Sequence, residues 1–392
     1  GGYGRAELNP HSDVDIMLLH SGSMPSVNRI FSHPLLEKLT GPGGLIYTLY
    51  DLGLKVGHSV RNIQDAVNVA NDDMQTKTSL IESRLITGDA GLFGQFQQRL
   101  EARCVRNHVG NYLQMRIGNQ DARRVKFGNS ALLQEPNIKN GCGGLRDYQN
   151  LLWMTHFKYG AHTLEQLEAQ GMVRPRNRRQ LEVGYDFLLR TRNELHLQTK
   201  RLADDIPKAL QPKIAWQLGY KDRSPARRLE AFMRDLYTHM RTIHLITRMV
   251  ERRLALRPKP ARRLPSLRSF FGGGKKTETL DGFNIIDGEL VPISPRIFKD
   301  QPRRLMRVFL HAQQRGLEFH PDLTQLLRDN VSLVDDDFVH DTENHETFLE
   351  ILNQRGNVAP ALRAMHEVDL LGRYIPEFGR MTCLVQHEFF HA

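Results

Sequence analysis

The chain has 392 residues, of which 40% are hydrophobic and 25% charged, and its 54 Lys and Arg against 44 Asp and Glu give a formal net charge of +10. No apolar run approaches the roughly 18 residues of a membrane span, so we expect a soluble, cytoplasmic protein of two or three domains. The positive charge favours anionic partners without choosing among them. Three cysteines, Cys104, Cys142 and Cys383, lie far apart, which excludes a paired-cysteine metal site and predicts free thiols.

The first part of the chain reads as a mixed α/β unit. Residues 14–20 and about 45–60 are rich in β-branched, aromatic and aliphatic side chains and are predicted to be strands of one small sheet. Between them, residues 27–39 can form a helix. Residues 63–86 read as two helices separated near Asn71.

The pattern changes to helical spacing from about residue 111. Apolar side chains recur every three to four positions over 229–249 and over 181–195, which predicts long amphipathic helices and a bundle across 111–256. Residues 257–280 begin with a basic, proline- and glycine-rich run and are predicted to be a flexible linker. Short helical patterns resume over 281–392.

Two aspartates at alternate positions, Asp13 and Asp15, open the first predicted strand. Side chains at i and i+2 of a strand project to the same face, so the carboxylates point together. Adjacent like charges need a cation, and Mg²⁺ prefers carboxylate, water and phosphate oxygens. The preceding GGYG stretch leaves its backbone amides open to a phosphate. Together they predict a metal and nucleotide site.

The segment GGYGRAELNPHSDVDIMLL resembles the signature of the DNA polymerase beta-like nucleotidyltransferases. That resemblance implies an α+β fold, with the mixed sheet and helices of a nucleotidyltransferase in residues 1–110, and places Gly1 and Gly2 against the nucleotide. In that family a third carboxylate on a neighbouring strand completes a two-metal site, and Asp51 is the candidate here. Gly2 stands where many relatives carry serine, and Ser12 is expected to supply another hydroxyl.

Further segments of the chain resemble one particular family of nucleotidyltransferases. EPNIKNGCGGLRDYQNLLWM (135–154), LLRTRNELHLQTKRLADDI (188–206), GHSVR (57–61) and IESRLITGD (81–89) look like those of bacterial PII uridylyltransferase/uridylyl-removing enzymes. The family implies transfer of UMP from UTP to a tyrosine of the signalling protein PII, with Mg²⁺ or alternatively Mn²⁺. It also implies glutamine as an effector of the full-length protein, and no membrane or nucleic-acid partner.

Basic and glycine residues extend the predicted nucleotide site. They are Arg61, Lys139, Gly143, Gly144 and Arg146, offered as phosphate or base contacts. Arg146 lies in GGLRD, which reads equally well as the start of a helix with an acidic residue in its first turn.

The segment HEFFH at residues 387–391 fits a zinc-protease pattern, but nothing else in the sequence supports a protease. By the family resemblance, residues 281–392 instead lead into an incomplete HD-type phosphohydrolase domain, and His391 is its first metal ligand. Because the later ligands are absent and residue 1 is not Met, we expect a fragment that lacks the hydrolytic activity of its parent.

Two alternatives stay open at this point. One is an adenylyltransferase that acts on glutamine synthetase, whose catalytic half has similar glycines and acids. The other is a non-catalytic RNA-binding module that uses the basic surface. Against the second, aromatic residues make up only 8% of the chain and do not alternate with the basic runs as stacking platforms would.

Overall fold

The structure, a computed structural model, describes residues 1–22, 38–106, 108–255 and 278–384. Helices predominate and short strands form two small sheets among these residues, which agrees with the predicted α+β class. The chain divides into two units, Gly1–Thr247 and Arg248–Ala392, and each is described by itself. Neither this division nor the secondary structure tests the predicted domain boundaries, which stay predictions.

The first sheet consists of two parallel strands, β1 (Val14–His20) and β2 (Val56–Asn62). Strand β1 confirms the prediction, but the prediction of a strand over 45–60 is wrong in its first half, where Leu45–Asp51 forms helix α1. Parallel strands need a crossover connection, which is usually helical. Ile46 and Leu49, three positions apart on α1, pack against Val14 and Val56 and so bury the helix on the strand pair.

Short helices follow β2 in the order that the sequence predicts. Helices α2 (Ile63–Asp72) and α3 (Met74–Ile81) confirm the predicted pair. The side chain of Asn62 caps α2 by accepting from the backbone N–H of Asp65 at 2.8 Å, and Asp73 caps α3 through Thr76 at 2.6 Å. Helix α4 (Ala90–Leu100) continues into a π-helical turn over Glu101–Val105.

Helices predominate in the part of the chain that follows, up to Ala255, and both predicted long helices are confirmed. The helices are α5 (Val109–Lys126), α6 (Leu145–Tyr159), α7 (Leu164–Ala169), α8 (Pro175–Thr199), α9 (Gln211–Gln217) and α10 (Pro225–Ala255). Their apolar side chains repeat on one face, so Leu181, Leu188, Phe232, Leu236 and Ile243 are all fully buried.

One histidine of α6, with a side chain 11% exposed, lacks a hydrogen-bond partner among the described residues. His156 has no acceptor or donor at Nδ1, and its Nε2 lies 3.8 Å from Oε2 of Glu101. The His162 ring is 4.3 Å away. Burial, with a smaller contribution from His162, lowers the pKa of His156 to about 4. The imidazole is therefore neutral at pH 7.

The second unit contains a small sheet that the sequence analysis did not predict. Strands β3 (Glu278–Leu280), β4 (Phe283–Ile286) and β5 (Glu289–Pro292) are antiparallel, and β6 (Glu318–Phe319) pairs parallel to β5. The predicted short helices are confirmed. They are α11 (Ile297–Asp300), α12 (Arg304–Arg315), α13 (Pro321–Asn330), α14 (Asp336–His340), α15 (Thr342–Asn353), α16 (Val358–Glu367), α17 (Leu370–Tyr374) and α18 (Pro376–Met381). A 3-10 turn, Val331–Leu333, links α13 and α14.

Some predictions fall on residues outside the described ranges. These are most of the helix over 27–39, the linker over 257–280 except its last three residues, which form β3, and the HEFFH segment with His391. Cys104, Cys142 and Cys383 are buried thiols that form no disulfide within the described residues, as predicted. Within the described part of the chain, no helix combines the length and apolar character that crossing a membrane requires.

Candidate functional site

A cleft of about 590 Å³ lies in the first unit, beside the first strand. This volume is within the range of small-molecule sites. Its lining comes from the amino-terminal turn and β1 on one side and from α3, α5, α6 and α8 on the other. The residues that line it include Gly1, Gly2, Arg5, Glu7, Asn9, Ser12, Asp13, Asp15, Glu82, Arg116, Arg123, Lys139, Arg146, Trp153 and Arg192.

Asp13 and Asp15 present their carboxylates to the cleft. They flank Val14, which is 5% exposed, and both are themselves exposed, as strand alternation predicts. Within the described part of the chain neither carboxylate has a hydrogen bond or an ion pair. A Cβ at Gly57, the cross-strand neighbour of Asp15, would lie 2.8 Å from its Oδ1. A glycine at position 57 therefore leaves the space that the carboxylate occupies.

The turn before β1 depends on its glycines. The backbone N–H of Glu7 donates to the carbonyl of Gly2 at 2.9 Å, and that of Arg5 donates to Gly1 at 3.2 Å, which closes the turn. A Cβ at Gly4 would lie 2.2 Å from the carbonyl oxygen of Glu82. Only glycine allows this approach of backbone to backbone, so the turn is held against the loop that follows α3.

Glu82 joins this turn to helix α6. Its carboxylate accepts from Nη1 of Arg5 at 2.8 and 2.9 Å and from Nε1 of Trp153, and its side chain is 9% exposed. Burial alone would raise the pKa of Glu82, but the positive charge of Arg5 and its other donors hold the pKa below its usual value. The carboxylate stays ionised and holds two walls of the cleft together.

A second connection anchors the loop that leads into Asp13. Arg192 on α8 donates to the side chain of Asn9 and, through Nε, to Oδ1 of Asp204 at 2.8 Å. Next to it, Nδ1 of His196 contacts the carbonyl of Pro10. The position of the aspartate pair is therefore set by a helix far along the chain as well as by the sheet.

The GGLRD segment forms the start of α6 and serves a structural role. The fully buried carboxylate of Asp147 accepts from Arg123, from Arg124 and from the backbone N–H of Gly143 at 2.8 Å. Burial alone would raise the pKa of Asp147, but contacts with His244 and the two arginines hold it far below the usual range. Arg146, the neighbouring residue, lines the cleft instead.

The structure brings seven of the predicted site residues to the cleft: Gly1, Gly2, Ser12, Asp13, Asp15, Lys139 and Arg146. Four others, Asp51, Arg61, Gly143 and Gly144, are not among the lining residues. Asp51 is the exposed last residue of helix α1, so its predicted place on a strand is wrong. A Cβ at Gly143 would meet the Met240 carbonyl at 1.7 Å, which shows that this glycine is needed for packing.

Sequence reasoning missed several residues of the cleft. They are Arg5, Glu82, Arg116, Trp153 and Arg192. Neither Glu82 in IESRL nor Trp153 in NLLWM has neighbours in the sequence that indicate a binding site. The two residues are 71 positions apart, and their hydrogen bond exists only in the folded structure.

The residues present fit a divalent cation at Asp13 and Asp15. Both carboxylates are unpaired and face an open cleft, and glycines border Asp15. No group of three His, Cys, Asp or Glu side chains that could hold a metal occurs in the described ranges. Mg²⁺ commonly binds one or two carboxylates together with water and substrate phosphates, and this donor set matches that pattern.

Comparison with known proteins identifies matching family models and longer relatives. The family model described as GlnD PII-uridylyltransferase matches residues 111–251, and the model of the uridylyltransferase GlnD third domain matches residues 283–374. The chain is 32% identical over 394 residues to the bifunctional uridylyltransferase/uridylyl-removing enzyme of Azospirillum brasilense, and 31% identical over 393 residues to the enzyme of that name from Ruegeria pomeroyi. Both alignments cover 100% of the chain but only 41% and 42% of the relatives, so the chain spans about two fifths of their length. Because two GlnD family models match and the similarity to these relatives extends over the whole of this chain, the chain belongs to the GlnD uridylyltransferase family.

Proposed function

We propose that this chain carries the nucleotidyltransferase activity of its family and transfers UMP from UTP to a tyrosine of the PII signalling protein. The observation that carries the proposal is the pair of unpaired carboxylates, Asp13 and Asp15, beside a glycine turn in a cleft whose other side is basic. The names of the relatives support uridylyl transfer. PII comes from the description of the matching family model.

The reaction balances as a single displacement at the α-phosphorus. The tyrosine oxygen forms a bond to the α-phosphorus, and the bond from that phosphorus to the oxygen bridging to the β-phosphorus breaks. Pyrophosphate leaves with the electron pair, and the phenolic proton passes to a carboxylate at the site. A tyrosine hydroxyl has a pKa of about 10 and is a weak nucleophile at neutral pH, so it needs this assistance.

Asp13 and Asp15 would hold Mg²⁺, or alternatively Mn²⁺. Such an ion would supply positive charge to offset the negative charge of the phosphates. The protein contributes position: Arg192 and His196 hold the loop before Asp13, and Gly57 leaves room for the Asp15 carboxylate. The role of Asp51 as a third carboxylate stays a prediction. This residue ends helix α1 and is not among those that line the cleft.

The relatives are longer than this chain and have a second activity in their names. Their names include uridylyl removal, which we propose belongs to an HD-type domain in the longer protein, with His391 as its first ligand and glutamine as an effector. We also propose a cytoplasmic location, because PII and UTP would have to be available to the enzyme.

The deciding experiment offers labelled UTP or labelled ATP with Mg²⁺, and either PII or glutamine synthetase as acceptor. We expect label on PII from UTP alone. Label on glutamine synthetase from ATP would favour the adenylyltransferase alternative. RNA binding with a steep salt dependence and no nucleotide binding would favour the RNA-binding module.

A variant pair links the result to the cleft. Asp15→Asn should abolish transfer, whereas Asp72→Asn, an exposed acid at the end of α2, should leave it unchanged. Normal turnover by Asp15→Asn would refute the assignment of the carboxylate pair.

A further inference from the structure

Two guanidinium groups share one indole ring in the wall of the cleft. Cζ of Arg116 lies 4.6 Å from the centroid of the Trp153 ring, and Cζ of Arg146 lies 5.1 Å from it. The indole is 4% exposed and donates from Nε1 to Glu82. Arg116 is further held by Nε donation to the Tyr112 hydroxyl at 3.1 Å. Contacts of this kind fix the planes of both cations without neutralising them.

These two arginines differ from the other cations of the cleft in their partners. Arg5 pairs with Glu82, Arg123 with Asp147, and both Lys139 and Arg192 with Asp204. Among the described residues, neither Arg116 nor Arg146 forms an ion pair.

The positive charge of Arg146 is destabilised by its surroundings, because the side chain is partly removed from water and other arginines lie nearby. Burial lowers the pKa of Arg146 to about 10, and the charges of Arg5 and Arg116 add to the lowering. A partly desolvated cation that lacks a counter-charge is stabilised when an anion enters the cleft. The structure therefore has room and charge for a ligand at this wall.

The unpaired charges of the cleft are of two kinds and lie on different elements. Asp13 and Asp15, before and on β1, require a cation, whereas the two arginines on α5 and α6 require an anion. A metal-bound polyphosphate satisfies both, and the planar fork of arginine matches phosphate oxygens with two parallel hydrogen bonds. If the proposed displacement takes place at the α-phosphate beside the aspartate pair, the β- and γ-phosphates are the part of the nucleotide whose charge is left for the arginines of the same cleft.

We propose that Arg116 and Arg146 bind the β- and γ-phosphates of the nucleotide, and hence the pyrophosphate product, with Trp153 and Glu82 as positioning residues. This inference rests on the proposed function and specifies where the leaving group is held. It assigns to Arg116, Trp153 and Glu82 roles that the motifs of the sequence do not indicate.

The test uses inorganic pyrophosphate alone, so that it needs neither UTP nor a protein acceptor. The chain has two tryptophans, Trp153 and Trp216. Trp216 is 46% exposed and is not among the residues that line the cleft. In the Trp216→Phe protein the remaining indole is the one between the arginines, so its fluorescence reports binding at this wall. We expect a saturable change with pyrophosphate.

Arginine variants in the Trp216→Phe background then test the contacts. Arg116→Gln and Arg146→Gln should each weaken pyrophosphate binding about tenfold or more, since a hydrogen bond to a charged group is worth that much. Arg146→Lys should have a pyrophosphate affinity between those of the Trp216→Phe protein and of Arg146→Gln, because lysine keeps the positive charge but lacks the planar guanidinium group with its two parallel donors. Arg190→Gln is the matched control: this exposed arginine lies over the Phe187 ring and pairs with Asp186. Unchanged affinity in both cleft variants, with thermal unfolding that shows a folded protein, would overturn the proposal.

The positioning role of Trp153 needs a separate readout. Trp153→Phe keeps a ring but removes the donor to Glu82, so we expect weaker competitive inhibition of UMP transfer by pyrophosphate and unchanged inhibition by UMP. Equal weakening of both would indicate a general structural defect and refute the role.

Failure of the site and failure of the function give different results. Pyrophosphate binding that depends on the arginines, without uridylyl transfer, leaves the site standing and removes the function. Uridylyl transfer by a protein whose pyrophosphate affinity does not depend on either arginine would support the function and refute the arginine site.

Discussion

Replacing Gly57 by alanine tests whether the neighbouring strand sets the position of the Asp15 carboxylate. The new Cβ would stand 2.8 Å from Oδ1 of Asp15, and ordinary contact begins at 3.4 Å. The carboxylate must therefore withdraw by about half an ångström, which exceeds the roughly 0.2 Å tolerance of metal–ligand distances. An off-rotamer side chain costs on the order of 1 kcal/mol, and a distorted Mg²⁺ site costs more.

We expect the Gly57→Ala protein to need about tenfold more Mg²⁺ for half-maximal UMP transfer, equivalent to about 1.4 kcal/mol. Mn²⁺ binding, followed by electron paramagnetic resonance without any nucleotide, should weaken in the same proportion. The φ angle of Gly57 is not positive, so alanine fits the backbone and the free energy of unfolding should not fall. Gly94→Ala, where a Cβ meets nothing within 4 Å, is the control. Unchanged metal affinity in Gly57→Ala would refute the idea that this glycine makes room for a metal ligand.

Three further predictions concern the stability of the first unit. Asp147→Asn should lower the free energy of unfolding by about 3 kcal/mol, measured by urea denaturation, because it leaves Arg123, whose side chain is only 15% exposed, without its counter-charge; a loss below 1 kcal/mol would contradict the ion-pair account. Gly143→Ala should destabilise at least as strongly, since its Cβ would clash with the Met240 carbonyl and its φ is +73°, and a normal melting temperature would show that the loop can move aside. For His156, the unfolded chain binds a proton near pH 6.5 and the folded chain only near pH 4, so stability should be complete above pH 6.5 and fall by up to roughly 3 kcal/mol toward pH 4. His156→Gln should remove that part of the pH dependence, and an unchanged slope would assign it to other groups.

Local patterns were sufficient for the elements whose periodicity is long. Strand β1 and the helices at 175–199 and 225–255 follow directly from apolar spacing, because each has enough residues to show its period. Strands β3–β6 have two to four residues each and were missed, since so short a segment shows no alternation.

The segment at 45–51 shows where pattern alone is ambiguous. Its apolar run is consistent with a strand or with one buried turn of helix, and the choice depends on the parallel pairing of β1 with β2. A pairing between strands 42 positions apart in register cannot be read from either segment.

The site divides in the same way. The aspartate pair and the glycine turn form one contiguous motif, so the sequence predicts them at the cleft. The Arg116–Trp153–Arg146 wall arises only when α5 packs against α6, and each residue alone is ordinary for an amphipathic helix. Contacts of this kind are a property of tertiary packing.

The tie between Asn9 and Arg192 spans 183 positions. During synthesis, the loop that leads into Asp13 emerges from the ribosome long before its anchor on α8 does, so the loop cannot be held in place until about half of this chain exists. Early termination or a protease cut near residue 110 should leave a strand pair without a stable acidic loop. Exchanging the first 110 residues between relatives should preserve activity only when the matching segment of α8 is exchanged with them.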